Sequence, residues 1–532
     1  MRRLLAWLTL ALAACSSSGA SSTPDADLSR LDAVPSTPDA PQQTPDAGQV
    51  TFGQLTTAIV SQIPQPQVTV EVNDPTRMYY FTLTPRDLGV GDLDGDGNVD
   101  ILFAPSMFNA KPELPIQIWC GGGDGTFAPC TDRVIAGAAP VVGSINNEFL
   151  ADFNGDHRLD VFLVDQGLEY PVPLLGSRNK LLLSGTDGRL HDASAALPVD
   201  YNSFNHVSSM ADMNVDGCPD IVVTTFGGPA LTHHGSYILY GDCHGGFTHS
   251  IAGMAPEVAE EPNTYTTGID YQTTGTNGTG DLDGDGRPEL VTASYRSTDF
   301  VSGKKTILVH KNLPGSYART TVVPFPAALN AVPYLPGEDP GGTPFGLGAA
   351  NLVIGDIDGD GRAEIVVNWE GAQHSTIQIL RNEGGLSFTD ATQAIFGGYD
   401  TTFQTSTGFT TFAQRTELRD VDGDGRLDLI LTYYGIGASE LASRGFLYLN
   451  DGAGRLLPWH FQRGGRAATE SEVAASFPGT SEPFERAGIP LVLDANGDGV
   501  NDIAILSGGP THGGPPIQTE RIFIYTFLAG RR

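Results

Sequence analysis

Asp92-Leu93-Asp94-Gly95-Asp96-Gly97-Asn98-Val99-Asp100 runs directly into Ile101-Leu102-Phe103. Carboxylates stand at positions 1, 3 and 5 of this stretch, glycines at 4 and 6, and a fourth carboxylate at 9. Glycine reaches positive φ without steric cost, so the chain can curl tightly there and turn alternate carboxylates towards one centre. The apolar run that follows is short, β-branched and bounded by turn residues, which predicts a strand.

The pattern D-x-[DN]-x-D-x-x-x-[DE] starts again at Asp152, Asp212, Asp281, Asp356, Asp420 and Asp494, at intervals of 60 to 75 residues. Each copy leads into an apolar run such as Val161-Phe162-Leu163 or Ile365-Val366-Val367. A third strand follows (Leu181-Leu182-Leu183, Ile377-Gln378-Ile379), then a Gly-rich turn and a short fourth (Gly125-Thr126-Phe127, Leu386-Ser387-Phe388). No helical periodicity interrupts the series. Seven units of four strands predict an all-β fold, a seven-bladed β-propeller of antiparallel blades. Length alone, 532 residues, suggests about three domains. The repeat instead makes residues 49–532 one domain. Its last unit stops after Ile524-Tyr525-Thr526-Phe527, one strand short. Residues 50–53 (Val-Thr-Phe-Gly) resemble that missing strand and are expected to close the seventh blade.

Dense oxygen ligands suit a hard cation, and Ca²⁺ accepts crowded, flexible shells more readily than Mg²⁺. An EF-hand loop starts in the same way but needs a Glu at position 12. Here that position holds Phe103, Leu163, Val223, Thr292, Val367, Leu431 and Ile505, so the loop closes after nine residues. In this the chain resembles the FG-GAP (VCBS-type) repeats of integrin α-chain propellers, over about residues 50–532. The resemblance implies up to seven structural Ca²⁺ ions.

By the same resemblance the ligating side chains are Asp92, Asp94, Asp96 and Asp100; Asp152, Asn154, Asp156 and Asp160; and Asp212, Asn214, Asp216 and Asp220. In the remaining units they are Asp281, Asp283, Asp285 and Glu289; Asp356, Asp358, Asp360 and Glu364; Asp420, Asp422, Asp424 and Asp428; and Asp494, Asn496, Asp498 and Asp502. Position 7 contributes its carbonyl: Asn98, Arg158, Cys218, Arg287, Arg362, Arg426 and Val500. Asn154, Asn214 and Asn496 each remove one charge, and His157 and Val215 replace loop glycines. Loops 2, 3 and 7 are therefore expected to bind more weakly than loops 1, 4, 5 and 6.

Residues 1–14 carry Arg2 and Arg3, an apolar run and small residues, the form of a secretory signal too short to span a bilayer as a mature helix. Leu12-Ala13-Ala14-Cys15 resembles the lipobox of bacterial lipoproteins. That implies export, cleavage before Cys15 and lipid anchoring there; Ser16 points to the outer membrane by family analogy. Residues 15–48 are rich in Ser, Thr, Pro, Asp and Ala and read as an extended tether.

The chain carries 62 acidic residues against 30 basic ones, a net charge of −32, which argues against nucleic acid as a partner. Of the 62, 25 sit at positions 1, 3, 5 and 9 of the loops. Cys120 and Cys130 flank a Gly-rich turn, while Cys218 and Cys243 share the third unit; both are candidate local disulfides suited to an exported protein. Seven of 11 histidines, among them His206, His233, His234 and His249, fall in units two and three. Scattered over separate strands and loops, they are expected to be surface histidines.

In a meander, the long 2–3 and 4–1 connections share the face opposite the acidic loops. They carry Tyr170, His233, His234 and Trp369 on one side, and Tyr201, Phe204, His206 and Tyr265 on the other. Loops on a rigid scaffold are common recognition surfaces, here suited to a glycan or a protein. The function expected is an anchored binding or adhesion module. The alternative is a carbohydrate-active, polysaccharide-lyase-like enzyme, although no G-x-S-x-G or H-E-x-x-H motif is present.

Overall fold

The computed structural model describes residues 55–529 except 66–70, 73–87, 106–109, 112, 169–174, 200, 228–230, 257, 263–275, 294–305, 325–347, 371–373, 397–401, 405–412, 434–445, 479–487 and 508–520. Seven antiparallel four-stranded sheets form a ring, a β-propeller. Blade 3 is typical: Phe204–Ala211 pairs with Asp220–Phe226, which pairs with His233–Gly241, which pairs with Phe247–Ser250. The second strand is the apolar run that follows each acidic loop. Asp160–Asp165 and Asp220–Phe226 are buried at every residue, because neighbouring blades cover both faces. That is why these strands are continuously apolar rather than alternating.

The core lies between blades. Phe162 and Val164 of blade 2 pack with Ile221, Val223 and Tyr237 of blade 3. Phe103 and Trp119 of blade 1 stack at 4.6 Å and join Leu506 and Ile524 of blade 7. Innermost strands carry a register shift in blades 2, 3, 5 and 6, between Ile145/Asn147, Asn205/Val207, Ala349/Asn351 and Ala413/Arg415. An extra residue there bends the strand and raises its twist.

The closing strand is Ile59–Pro64, not residues 50–53, which lie outside the described residues. It pairs antiparallel with Arg521–Phe527 through six partners, from Ile59↔Thr526 to Pro64↔Arg521. Ile63 is fully buried, and the Ser61 hydroxyl accepts the Phe127 N–H of blade 1 at 2.8 Å.

The connection between blades 6 and 7 braces this seam. It forms a small hairpin, Gln462–Arg463 with Arg466–Ala467, and the helix Glu470–Ala475. Thr469 and Glu472 cap that helix reciprocally. The Leu55 and Ala58 N–H groups donate to Gln462 O and Ser476 O at 2.8 and 3.0 Å. Among the described residues no helix is long and apolar enough to cross a membrane.

Candidate metal loops and the opposite face

In every acidic loop the position-1 carboxylate accepts the N–H groups of positions 5 and 6. In loop 1 the Asp92 carboxylate accepts the N–H groups of Gly95, Asp96 and Gly97 at 2.7, 3.1 and 2.9 Å, so the chain wraps around it. Positions 4 and 6 take positive φ throughout, including Val215 (62°) and His157 (64°), where a side chain adds strain. The position-5 carboxylate accepts the position-7 N–H in all seven loops, from Asn98 onto Asp96 at 2.8 Å to Val500 onto Asp498 at 2.9 Å.

Position 9 is the buried keystone. Asp100, Asp160, Asp220, Glu289, Glu364, Asp428 and Asp502 are at most 1% exposed. One oxygen of each accepts the position-2 N–H at 2.8 to 3.0 Å. The other accepts an N–H at the end of the third strand, such as Gly121 at 3.0 Å or Asn450 at 2.8 Å. Burial pushes the carboxyls of Asp100, Asp220, Glu289 and Glu364 up to about 7, and those of Asp428 and Asp502 to about 6. Asp160 is raised for the same reason.

Among the described residues, ligand atoms converge within 4.8 Å in five groups; Asp94/Asp100/Cys120 is set aside because Cys120 is disulfide-bonded, which leaves Asp92/Asp94/Asp96, Asp281/Asp283/Asp285, Asp356/Asp358/Asp360 and Asp420/Asp422/Asp428 as groups that can hold a metal ion. Asp283 Oδ1 and Asp358 Oδ1 are buried without a hydrogen-bond partner. A charged oxygen so placed costs free energy unless a cation faces it. Basic side chains reach the rims of these loops: Arg133 to Asp94 at 2.6 Å, Arg381 to Asp358 at 3.0 Å, Lys311 to Asp283, Arg362 to Asp360 and Arg426 to Asp424. Each loop has four carboxylates, so a negative excess remains.

The other loops satisfy themselves differently. Asn154 Nδ2 donates to Ser184 O at 3.0 Å, and the Ser184 hydroxyl donates to Asp156 and Asp160, so loop 2 points donors into its own shell. Asn214 Nδ2 donates to Asp216 at 2.9 Å. In loop 7, Asn496 Oδ1 accepts the Asp498 N–H at 3.0 Å, as Asp94 Oδ1 accepts the Asp96 N–H in loop 1. Cys218 and Cys243 are disulfide-bonded, tying loop 3 to the 3–4 turn of its blade, and Cys120 is bonded to Cys130.

A set of asparagines outside the acidic motif links the loops from blade to blade. Asn312, Asn382 and Asn450 end the third strands of blades 4, 5 and 6. Their Nδ2 groups donate to the position-2 carbonyl of the preceding loop: Met213 at 2.7 Å, Leu282 at 2.7 Å and Ile357 at 2.6 Å. They also donate to the position-8 carbonyl of their own loop, Pro288, Ala363 and Leu427. Asn501 reaches Val421 O at 2.8 Å in the same sense. The recurrent Asn after strand three (Lys311-Asn312, Arg381-Asn382, Leu449-Asn450) was the available signal.

On the opposite face the sequence-based expectations need correction. Trp369, Phe204 and His206 are strand residues with buried side chains. Trp369 Nε1 donates to Gln378 at 2.8 Å, and His206 stacks on Phe226 at 4.4 Å. His234 is also buried, so the histidines of blades 2 and 3 are not all surface groups. Tyr170 and Tyr265 lie outside the described residues. Loops over blade 2 pack backbone on backbone: a Cβ at Gly143 or Gly176 would meet main-chain atoms of Gly167 or Ser203 at 2.5 and 2.6 Å. Buried Asp165 joins them, accepting the N–H groups of Gly143, Ser144 and Gly167.

Residues 92–163, the first two acidic loops and the strands between them, match the FG-GAP-like repeat family. No curated protein matches the chain. Similar solved structures include a Lactobacillus plantarum protein, 13% identical over 66% of this chain and 80% of that one, with a TM-score of 0.34. Another is BBS1N in complex with ARL6DN, 11% identical over 84% and 92%, with a TM-score of 0.39. A third is the Bacillus licheniformis rhamnogalacturonan lyase PL11, 13% identical over 90% and 91%, with a TM-score of 0.30. Residues 92–163 thus match the FG-GAP-like repeat family, and the same acidic loop recurs in all seven blades of the β-propeller.

Proposed function

We propose that the acidic loops are Ca²⁺ shells that staple the ring, and that the ring is a recognition or adhesion module exported to the bacterial envelope. Lipid on Cys15 holds it at the outer membrane, and residues 15–48 tether it. The face bearing the long connections receives a glycan or protein ligand; a net charge of −32 disfavours nucleic acid.

One observation carries the metal assignment: buried carboxylates at position 9 stand behind converging acids, with orphaned oxygens at Asp283 and Asp358. Side chains at positions 1, 3, 5 and 9 and the position-7 carbonyl would hold the ion, strongest in loops 1, 4, 5 and 6. A bound Ca²⁺ supplies the positive charge the loop lacks. Ligand binding to the native state stabilises it by mass action, about 2.7 kcal/mol per site at a hundredfold excess over Kd.

The test is thermal unfolding with and without EGTA, on protein whose metal content is measured. Chelation is expected to lower the melting temperature, and Ca²⁺ to restore it better than the same concentration of Mg²⁺. An unchanged melting curve in verified metal-free protein would overturn the assignment.

A further inference from the structure

Blade 3 gathers, on its blade-2 side, a group of polar and aromatic side chains that the acidic loops do not use. Tyr201 comes from the connection between blades 2 and 3. His233 begins the third strand of blade 3, His249 lies on its fourth, and Glu260 follows in the next connection. Tyr201 and His233 lie ring over ring at 4.1 Å, with planes 31° apart, and both are half-buried. The Tyr201 hydroxyl donates to Glu260 Oε1, and His249 Nε2 lies 2.9 Å from Glu260 Oε2. Glu260 is 7% exposed, whereas the His249 side chain is 31% exposed. Fully buried Tyr237 forms the floor, its ring 5.0 Å from His249.

We propose that this cluster is the ligand site of the loop-bearing face and that it takes a neutral, hydroxyl-rich sugar ring of a polysaccharide. The inference rests on the proposal that this face is a recognition surface. Paired aromatic rings offer apolar faces for the C–H side of a pyranose. Buried Glu260 holds the Tyr201 hydroxyl and the His249 ring in place for contact with a sugar. Thr232 Oγ1, 2.9 Å from His233 Nδ1, fixes that ring. Charge selects the ligand. Each carboxylate here already has side-chain partners, Glu260 with Tyr201 and His249 and Glu261 with His234 at 3.4 Å. Arg178 and Lys180 of blade 2 are turned elsewhere, to Val199 O and to Asp165. Among the described residues no cation points at the cluster, which disfavours acidic sugars.

The test is calorimetric titration of the Ca²⁺-loaded full chain with soluble glucan, mannan and galactan, and with polygalacturonate and chitosan oligosaccharide as charged comparators. Binding to at least one neutral polysaccharide is expected. Tyr201→Ala and His233→Ala should weaken it at least tenfold in protein that is still folded at the titration temperature, and Tyr201→Phe, which keeps the ring, should show an intermediate loss. Arg455→Ala, on the opposite face, should bind as the unaltered chain does. Binding that survives both alanine substitutions overturns this placement while leaving recognition by the face intact. Binding only to a charged comparator, or to none, overturns the ligand class. Calcium-dependent melting of the same samples tests the stapled ring separately.

Discussion

Asn382→Ala removes one bridge between adjacent acidic loops, and its cost follows from the geometry. The side chain is fully buried and makes three hydrogen bonds: Nδ2 to Leu282 O at 2.7 Å, Nδ2 to Ala363 O at 3.1 Å, and Oδ1 from the Gly384 N–H at 3.0 Å. Each such bond contributes about 1 kcal/mol net, and an acceptor left buried without a donor adds about 1 to 3 kcal/mol. Because a carbonyl keeps a second lone pair and loops relax, a total of about 2 to 4 kcal/mol is expected. Asn382→Asp should cost at least as much, since it sets an acceptor against two carbonyls. Urea unfolding of the Ca²⁺-loaded chain measures the loss, read as a shifted midpoint at unchanged slope. Combined with Asn450→Ala, which bridges loop 5 to loop 6, the losses should not add, because both act on loop 5. A loss below about 0.5 kcal/mol, typical of an ordinary surface change, would refute the bridge.

Glu148 on the innermost strand of blade 2 accepts the Gly89 N–H of blade 1 at 2.7 Å, and burial holds its carboxyl well above its ordinary 4.5. The native state therefore keeps a proton that the unfolded chain releases, so this group's stabilisation is lost as pH rises above about 4.5. Glu148→Gln should flatten that decline above about pH 4.5, measured by urea midpoints, and a parallel decline would count against it. Replacing Cys120 and Cys130 together by Ser should destabilise by about 3 kcal/mol, and opening Cys218–Cys243 by slightly more, since the closed segments span 10 and 25 residues. Equal or absent effects in urea would contradict this. Ile63→Ala should cost about 2 to 5 kcal/mol and speed proteolysis at the seam between blades 7 and 1; unchanged digestion would remove the closing role of Ile59–Pro64.

The acidic loops were legible because their chemistry is local: carboxylate spacing, two positive-φ positions and a following apolar run all lie within a dozen residues. Seven copies then dictated the ring. What escaped was non-local. Residues 50–53 look like a fourth strand, but which segment closes the ring depends on pairing with Arg521–Phe527 and on the Ile63 anchor. Asn312, Asn382 and Asn450 read as turn residues, and their bridging role appears only when adjacent blades meet. His233 and His249 are distant in sequence, yet antiparallel pairing sets His249 opposite Leu239, and blade packing brings in Tyr201.

Calcium titration of the metal-free chain by calorimetry tests the central claim most directly. Up to seven equivalents are predicted, with loops 1, 4, 5 and 6 filling first and loops 2, 3 and 7 binding more weakly. Asp358→Asn should weaken one site of the tighter class. Absence of binding, or binding of Mg²⁺ as tight as that of Ca²⁺, would contradict the assignment of these loops as calcium shells.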